Sequence, residues 1–251
     1  MTRIFSPPEE NSKPRIEKES VARFFRERAQ KVETVGTMRA VIYQDKHPDL
    51  AEKRDVAEKA RLLPLLELNH SVRVLDVGCG TGRWAAELAH GCASYHGIDF
   101  SAELIAHARS AFTESENLRF TVASAENYSL MSLGETQPFD RIVCCGVMIY
   151  LNDEDVERTF NCMASVAAPR ARIILREPVG IQKRLTIKEH YSEELEQSYN
   201  AIYRTMQELV DCMESTLFAA GFRVAGQGDV YDASLNNRAE TIQHWIALDR
   251  T

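Results

Sequence analysis

From residue 72 onward, short apolar runs alternate with stretches whose apolar positions recur at helical spacing. The runs 72–78, 93–99, 118–124, 139–147, 171–178, 222–230 and 241–249 predict strands. Between most of them, 82–90, 101–112, 153–167 and 192–219 predict helices. Continuous Val/Ile/Leu-rich runs, as opposed to strict alternation, are what a sheet covered on both faces requires. The pattern therefore predicts an α/β fold, a doubly wound, mainly parallel seven-stranded sheet whose last strand is antiparallel. The last two strands have no helix between them and predict a hairpin at the sheet edge, turned through the polar stretch 231–240.

Ahead of this lies a different pattern. Residues 1–19 carry Pro7, Pro8, Pro14 and several charges, and read as a flexible leader. Ser20 is placed to cap a helix over 21–34, in which Val21, Phe24, Phe25 and Ala29 recur at helical spacing. Apolar residues 38–43 and a helix over 49–67 follow, so 20–69 reads as an N-terminal helical lid and 70–251 as one domain. Within that domain Thr205 and Glu208 have capping-box spacing, which starts the ordinary helix at 205 and leaves 180–204 as an insertion over the site. Tyr199 and Tyr203, four apart, would share one helical face there.

Charge and cysteines narrow the class. With 37 acidic and 30 basic residues, the net charge is −7 and no Lys/Arg run stands out, which argues against nucleic acid or an anionic membrane as partner. No apolar stretch approaches a membrane span, and the N-terminus lacks the apolar core of a signal peptide. Six cysteines without a C-x-x-C pair read as reduced thiols in a cytoplasmic protein, and no cluster with ligand spacing suggests a metal. No sequence feature reports oligomeric state, and the expectation is a monomer or homodimer.

The chemistry concentrates where the first strand ends, at Val74-Leu75-Asp76-Val77-Gly78-Cys79-Gly80-Thr81-Gly82, just before a helix. Glycines there let the chain turn sharply and let a ligand lie against peptide N–H groups. The second strand ends at Asp99, 17 residues past Gly82, where a carboxylate can accept both ribose hydroxyls of a nucleoside. The spacing is G-x-G-x-G, not the G-x-G-x-x-G of dinucleotide sites.

VLDVGCGTG, followed by GIDFS, resembles the signature of class I S-adenosylmethionine-dependent methyltransferases. The resemblance implies S-adenosyl-L-methionine as cofactor, with Gly78, Cys79 and Gly80 against its methionine and ribose portion. Asp99 would then hold the ribose hydroxyls, Phe100 lie near the adenine, and Asp76 help position the methionine ammonium. Ala123-Ser124-Ala125-Glu126 stands at the family's adenine step, with Ser124 where Asp is common. Cys145 and Gly146, closing the fourth strand, would neighbour the methionine, with both Cys79 and Cys145 serving as small space-fillers.

For the acceptor, the resemblance implies a small molecule methylated at N or O. Glu177 is the first choice for a general base or ammonium anchor, with Arg176 on the opposite side. Tyr150 and Tyr203 join it as candidate catalytic groups, and Tyr43, Arg54, Tyr150, Arg184, Tyr199 and Tyr203 as candidate acceptor contacts. The tyrosines and arginines suggest a polar acceptor, one bearing a carboxylate or phosphate. Two alternatives share the same motifs: attack on another carbon of the sulfonium, for example an intramolecular cyclisation releasing methylthioadenosine, and a non-catalytic cofactor-binding protein.

Overall fold

In the computed structural model, residues 2–7, 13–113, 117–236 and 238–251 are described. In chain order the strands are β1 (Thr2–Ser6), β2 (Arg73–Val77), β3 (Ser94–Asp99), β4 (Leu118–Val122), β5 (Phe139–Cys145), β6 (Ala167–Gly180), β7 (Arg184–Ser192), β8 (Gln197–Tyr203), β9 (Arg223–Asp229) and β10 (Thr241–Arg250). The helices are α1 (Lys18–Val35), α2 (Thr37–Ile42), α3 (Pro48–Leu62), α4 (Ala85–Leu88), α5 (Ala102–Ala111), α6 (Asp153–Val166) and α7 (Met206–Met213).

Seven strands form the main sheet in the order β4-β3-β2-β5-β6-β10-β9. The first five are mutually parallel; β10 runs antiparallel to both β6 and β9, so it alone is reversed. The expected α/β sheet and its terminal hairpin are thus present, and the turn of that hairpin is described except at 237. Central β2 shows why continuous apolar runs were required: Val74, Leu75 and Val77 are wholly buried between the two helical layers. Each such side chain contributes about 1.5–3 kcal/mol by leaving water.

The helix α7 begins where its capping box predicted. Thr205 Oγ1 accepts from Glu208 N at 3.2 Å, and Glu208 Oε2 accepts from Thr205 N at 2.9 Å.

The insertion differs from expectation. Residues read as the start of a helix over 192–219 form instead a hairpin of β7 and β8, and β1 joins it to make a second, antiparallel sheet in the order β1-β7-β8. Tyr199 and Tyr203 do share a face, but through the two-residue repeat of a strand. β1 also corrects the flexible-leader reading, because residues 2–6 pair with 184–188. Residues 1 and 8–12 of that leader lie outside the described residues. α1 starts earlier than expected, with Glu17 and not Ser20 at its cap position.

Two contacts seat the N-terminal helices on the domain. Asn152 accepts from Ile16 N at 3.1 Å and donates to Ile16 O at 3.0 Å, a reciprocal pair that fixes the entry to α1. Fully buried Arg28 donates to both oxygens of Asp45, at 2.6 and 2.7 Å, and to the carbonyls of Arg39 and Ala40, tying α1 to the end of α2.

Candidate functional site

Strand order reverses between β2 and β5, and ligands of open α/β sheets sit outside the carboxyl ends of strands at such a point. A cavity of about 400 Å³ lies there. Its floor is the loop after β2, the end of β3, the step after β4 and the turn after β5. Its roof is α1, the end of α2 and the β7–β8 hairpin.

Backbone geometry forces the floor's sequence. Gly78 sits at φ +75°, and a Cβ there would lie 2.3 Å from Val147 Cγ2. The N–H groups of Gly78 and Cys79 both donate to Ile98 O, at 2.8 and 2.9 Å, which folds the loop back against the end of β3. Gly80 N then donates to Asp99 Oδ2 at 3.0 Å, and Ser101 N to Asp99 Oδ1 at 2.9 Å. Burial pushes Asp99 up to about 6 against the pull of these two N–H groups. A carboxylate has about four acceptor positions, so two bonds leave capacity for a pair of vicinal hydroxyls at the cavity wall. The loop in which Gly78 admits no Cβ, the lining carboxylate of Asp99 and the partly exposed ring of Phe100 fit the nucleoside end of S-adenosylmethionine.

Of the sequence-predicted residues, Gly78, Cys79, Gly80, Asp99, Phe100, Ser124, Ala125, Glu126, Cys145 and Gly146 all line the cavity, as do Tyr43, Arg54, Tyr150, Tyr199 and Tyr203. Ser124 Oγ is hydrogen-bonded to Glu126, whose carboxylate also accepts from Lys18 at 3.1 Å, so α1 is bound to the step after β4. Burial pushes the Cys79 and Cys145 thiols up, so both stay protonated. Nothing there acts as a thiolate nucleophile.

Three expected residues are elsewhere. Asp76 lies beneath the loop, accepting from Tyr95 Oη at 2.6 Å, and burial pushes it up to about 6. Arg184 is turned away toward Asp153, at 3.0 Å to each oxygen, and so joins the small sheet to α6. Glu177 corrects the assignment of faces on β6. Arg176 and Pro178 face the cavity, and Glu177, between them, points to the other side of the sheet and accepts from Val147 N and Met148 N. Alternation fixes which residues share a face, not which face is wet.

Sequence reasoning missed a buried charge cluster at one end of the cavity. Glu58 of α3 accepts from Arg83, from Arg176 Nη2 at 3.2 Å and from Tyr231 Oη at 3.2 Å. Burial alone would raise Glu58, but the Arg176 and Arg83 guanidiniums outweigh it and hold the carboxyl down to about 2. Arg238, from the β9–β10 turn, donates to Tyr203 Oη at 2.9 Å, and Gln243 accepts from Arg176 at 3.3 Å. These residues come from elements up to 185 positions apart (58 to 243), and no local spacing announces them.

The roof is aromatic. Phe25 meets Phe100 edge-on at 5.4 Å and Tyr150 at 4.9 Å, and Phe24 lies 5.7 Å from Tyr43 and 6.4 Å from Tyr199. Tyr43 ends α2 at φ +62°, a left-handed conformation uncommon for a bulky residue, which turns its ring into the cavity. Burial pushes Tyr43 up to about 12 and Tyr150 well above the ordinary phenol range, so both phenols are neutral near pH 7.

Among the described residues no helix is long and apolar enough to cross a membrane, and no three His, Cys, Asp or Glu gather for a metal ion. Residues 74–170 match the family described as "Methyltransferase domain". The chain is 30% identical over 114 residues, 45% of its length, to phosphoethanolamine N-methyltransferase 1 of Caenorhabditis elegans, covering 23% of that protein. It is 34% identical over 103 residues, 41% of its length, to the ubiquinone biosynthesis O-methyltransferase of Thiobacillus denitrificans, covering 39% of that one. The chain thus spans well under half the length of these curated relatives. Among solved structures, phosphoethanolamine N-methyltransferase 1 of Haemonchus contortus, in complex with phosphoethanolamine and S-adenosylhomocysteine, superposes with a TM-score of 0.70 at 16% identity, over 93% of this chain and 50% of that one.

Proposed function

We propose that this chain, whose residues 74–170 match a methyltransferase domain, is a class I S-adenosylmethionine-dependent methyltransferase that transfers a methyl group from that cofactor to nitrogen or oxygen of a small acceptor carrying an anionic group. The observation that carries this reading is the pairing of a nucleoside floor, the glycine loop with Asp99, with tyrosines that line the other side of the same cavity. The sulfonium methyl, when the cofactor is bound, supplies an electrophile that needs no further activation.

What remains for the protein is alignment and exclusion of water. Phe24, Phe25 and Tyr150 wall off solvent, and their ring faces suit a methylated ammonium product. Arg238, bonded to Tyr203, supports an anionic group on the acceptor. The phosphoethanolamine bound by the structural relative has that combination of amine and anion. Among the described residues at the acceptor end of the cavity, Glu58 is held near 2 and the Tyr43 and Tyr150 phenols stay protonated, so none of these three serves as a base. An amine acceptor therefore enters as its free base, and Tyr43 and Tyr150 orient it through neutral hydroxyls.

Calorimetry with S-adenosylhomocysteine tests the floor. Micromolar binding by the wild type and at least about a hundredfold loss in Asp99→Ala are expected, from two charge-assisted bonds. Undiminished binding by the variant removes the proposal. Turnover on phosphoethanolamine and other small anionic amines, with nucleoside products identified, tests the reaction. S-adenosylhomocysteine is expected; methylthioadenosine without added acceptor marks cyclisation instead. Arg238→Ala should raise the acceptor KM about tenfold with kcat little changed.

A further inference from the structure

Glu177 does something other than the base catalysis expected of it. Its partner directly across the β6–β10 ladder is His244, and antiparallel partners project on the same side of a sheet. Both line a second, otherwise apolar cavity of about 10 Å³, room for one water. Glu177 is 4% exposed; Oε1 accepts from Val147 N at 2.9 Å and Met148 N at 3.1 Å, and Oε2 has no partner among the described residues.

His244 Nδ1 lies 2.8 Å from Asp229 Oδ1, which can only accept from it when ionised. In its neutral form the ring carries its proton on Nδ1, which leaves buried Nε2, likewise without a partner among the described residues, a bare acceptor. Two acceptors cannot bond each other, but a water donates one hydrogen to each.

We propose that one ordered water joins Glu177 Oε2 to His244 Nε2, and that the ionised Glu177 it stabilises is the positioning residue holding the Val147–Met148 peptide groups, and with them the wall bearing Tyr150, against the methyl-transfer cavity. The water bridge stands on its own geometry; the positioning role rests on the methyltransferase reading. Burial pushes Glu177 up to about 7, opposed by the Met148 and Val147 N–H groups, Arg176 and Arg204. β5 faces it with the protonated thiol of Cys144, α6 and α7 face the cavity with Phe160, Met206 and Leu209, and Asp229 stands behind His244.

Isotope-edited infrared titration of the protein without cofactor tests the bridge. A protonated glutamic carboxyl band is expected to titrate near neutral pH, to vanish in Glu177→Gln, and to move upward by about one pH unit in His244→Phe, which removes the water's second partner. Asp76 and Asp99, raised to about 6, lie about one unit lower and are aspartates, so selective labelling separates them. A Glu177 band indifferent to His244→Phe overturns the bridge. So does a high-resolution crystal structure with no water within hydrogen-bonding distance of both atoms.

Calorimetry with S-adenosylhomocysteine over the same pH range tests positioning. The limb near neutral pH should follow the carboxyl band in His244→Phe and flatten in Glu177→Gln, whose melting temperature at about pH 8 should rise because a buried charge is gone. A limb unchanged in both variants overturns the positioning role. Should Glu177→Gln fail to fold, His244→Phe reads both effects. If the band behaves as expected while the wild type binds no S-adenosylhomocysteine, the bridge holds and the methyltransferase reading fails, taking the positioning role with it.

Discussion

Asp99 has a chemically readable role because its oxygens are half committed: one bond each to Gly80 and Ser101 leaves acceptors for a ligand. Burial raises its folded-state value to about 6, above the ordinary aspartate range, so protonation begins within reach of experiment. Since only the ionised form accepts two hydroxyls, S-adenosylhomocysteine affinity should fall through a limb centred near pH 6, which persists in Glu177→Gln; calorimetry from about pH 5 to 8 checks the slope.

Glu58 runs the other way. Its two arginines depress it to about 2, so its share of stability is present above the ordinary carboxylate range and is lost as pH falls toward 2. Glu58→Gln leaves Arg176 buried without its counter-charge and Arg83 with Asp55 alone, and should cost about 3–5 kcal/mol in urea unfolding at neutral pH. Asp99 was legible in the sequence because its motif is local: strand, glycine loop, helix, then a carboxylate at the next strand end. Glu58 was not, since α3 reads as an ordinary charged helix and its partners come from β6 and from the loops after β2 and β9. Glu177 was misassigned because a strand's alternation has two phases, and only tertiary contacts choose between them.

At the level of elements, the central strands of the main sheet were legible because burial on both faces imposes runs of apolar residues, whereas the exposed edge strand β9 carries no such run. The small sheet was not. A four-residue separation between Tyr199 and Tyr203 satisfies helix and strand equally, and β7 gains its second neighbour from the opposite end of the chain. The floor and roof can therefore be perturbed separately. Removing residues 2–6 strips β7 of one ladder and should raise the acceptor KM several-fold while leaving S-adenosylhomocysteine affinity within about twofold; steady-state kinetics and calorimetry on the same preparation decide it.

Across the whole molecule, the net charge of −7 and the local arginines are compatible, since Arg176 and Arg238 act inside a cavity where the global field matters less than the nearest partner. The cavity draws its floor from residues 78–147 and much of its roof from before 45 and after 194.

That division has a kinetic side. The strand at Thr2–Ser6 meets its partner at 184–188, so its ladder closes only after most of the chain has been made and has collapsed. Contacts of such long sequence separation form late and open early, without unfolding the central strands. Amide hydrogens of β1, β7 and β8 should exchange at least about tenfold faster than those of β2 and β5, and S-adenosylhomocysteine should slow both sets unequally. In these terms the small sheet is expected to be the molecule's least cooperative part, and the exchange rates of a ladder of five residue pairs would report how readily the roof loosens.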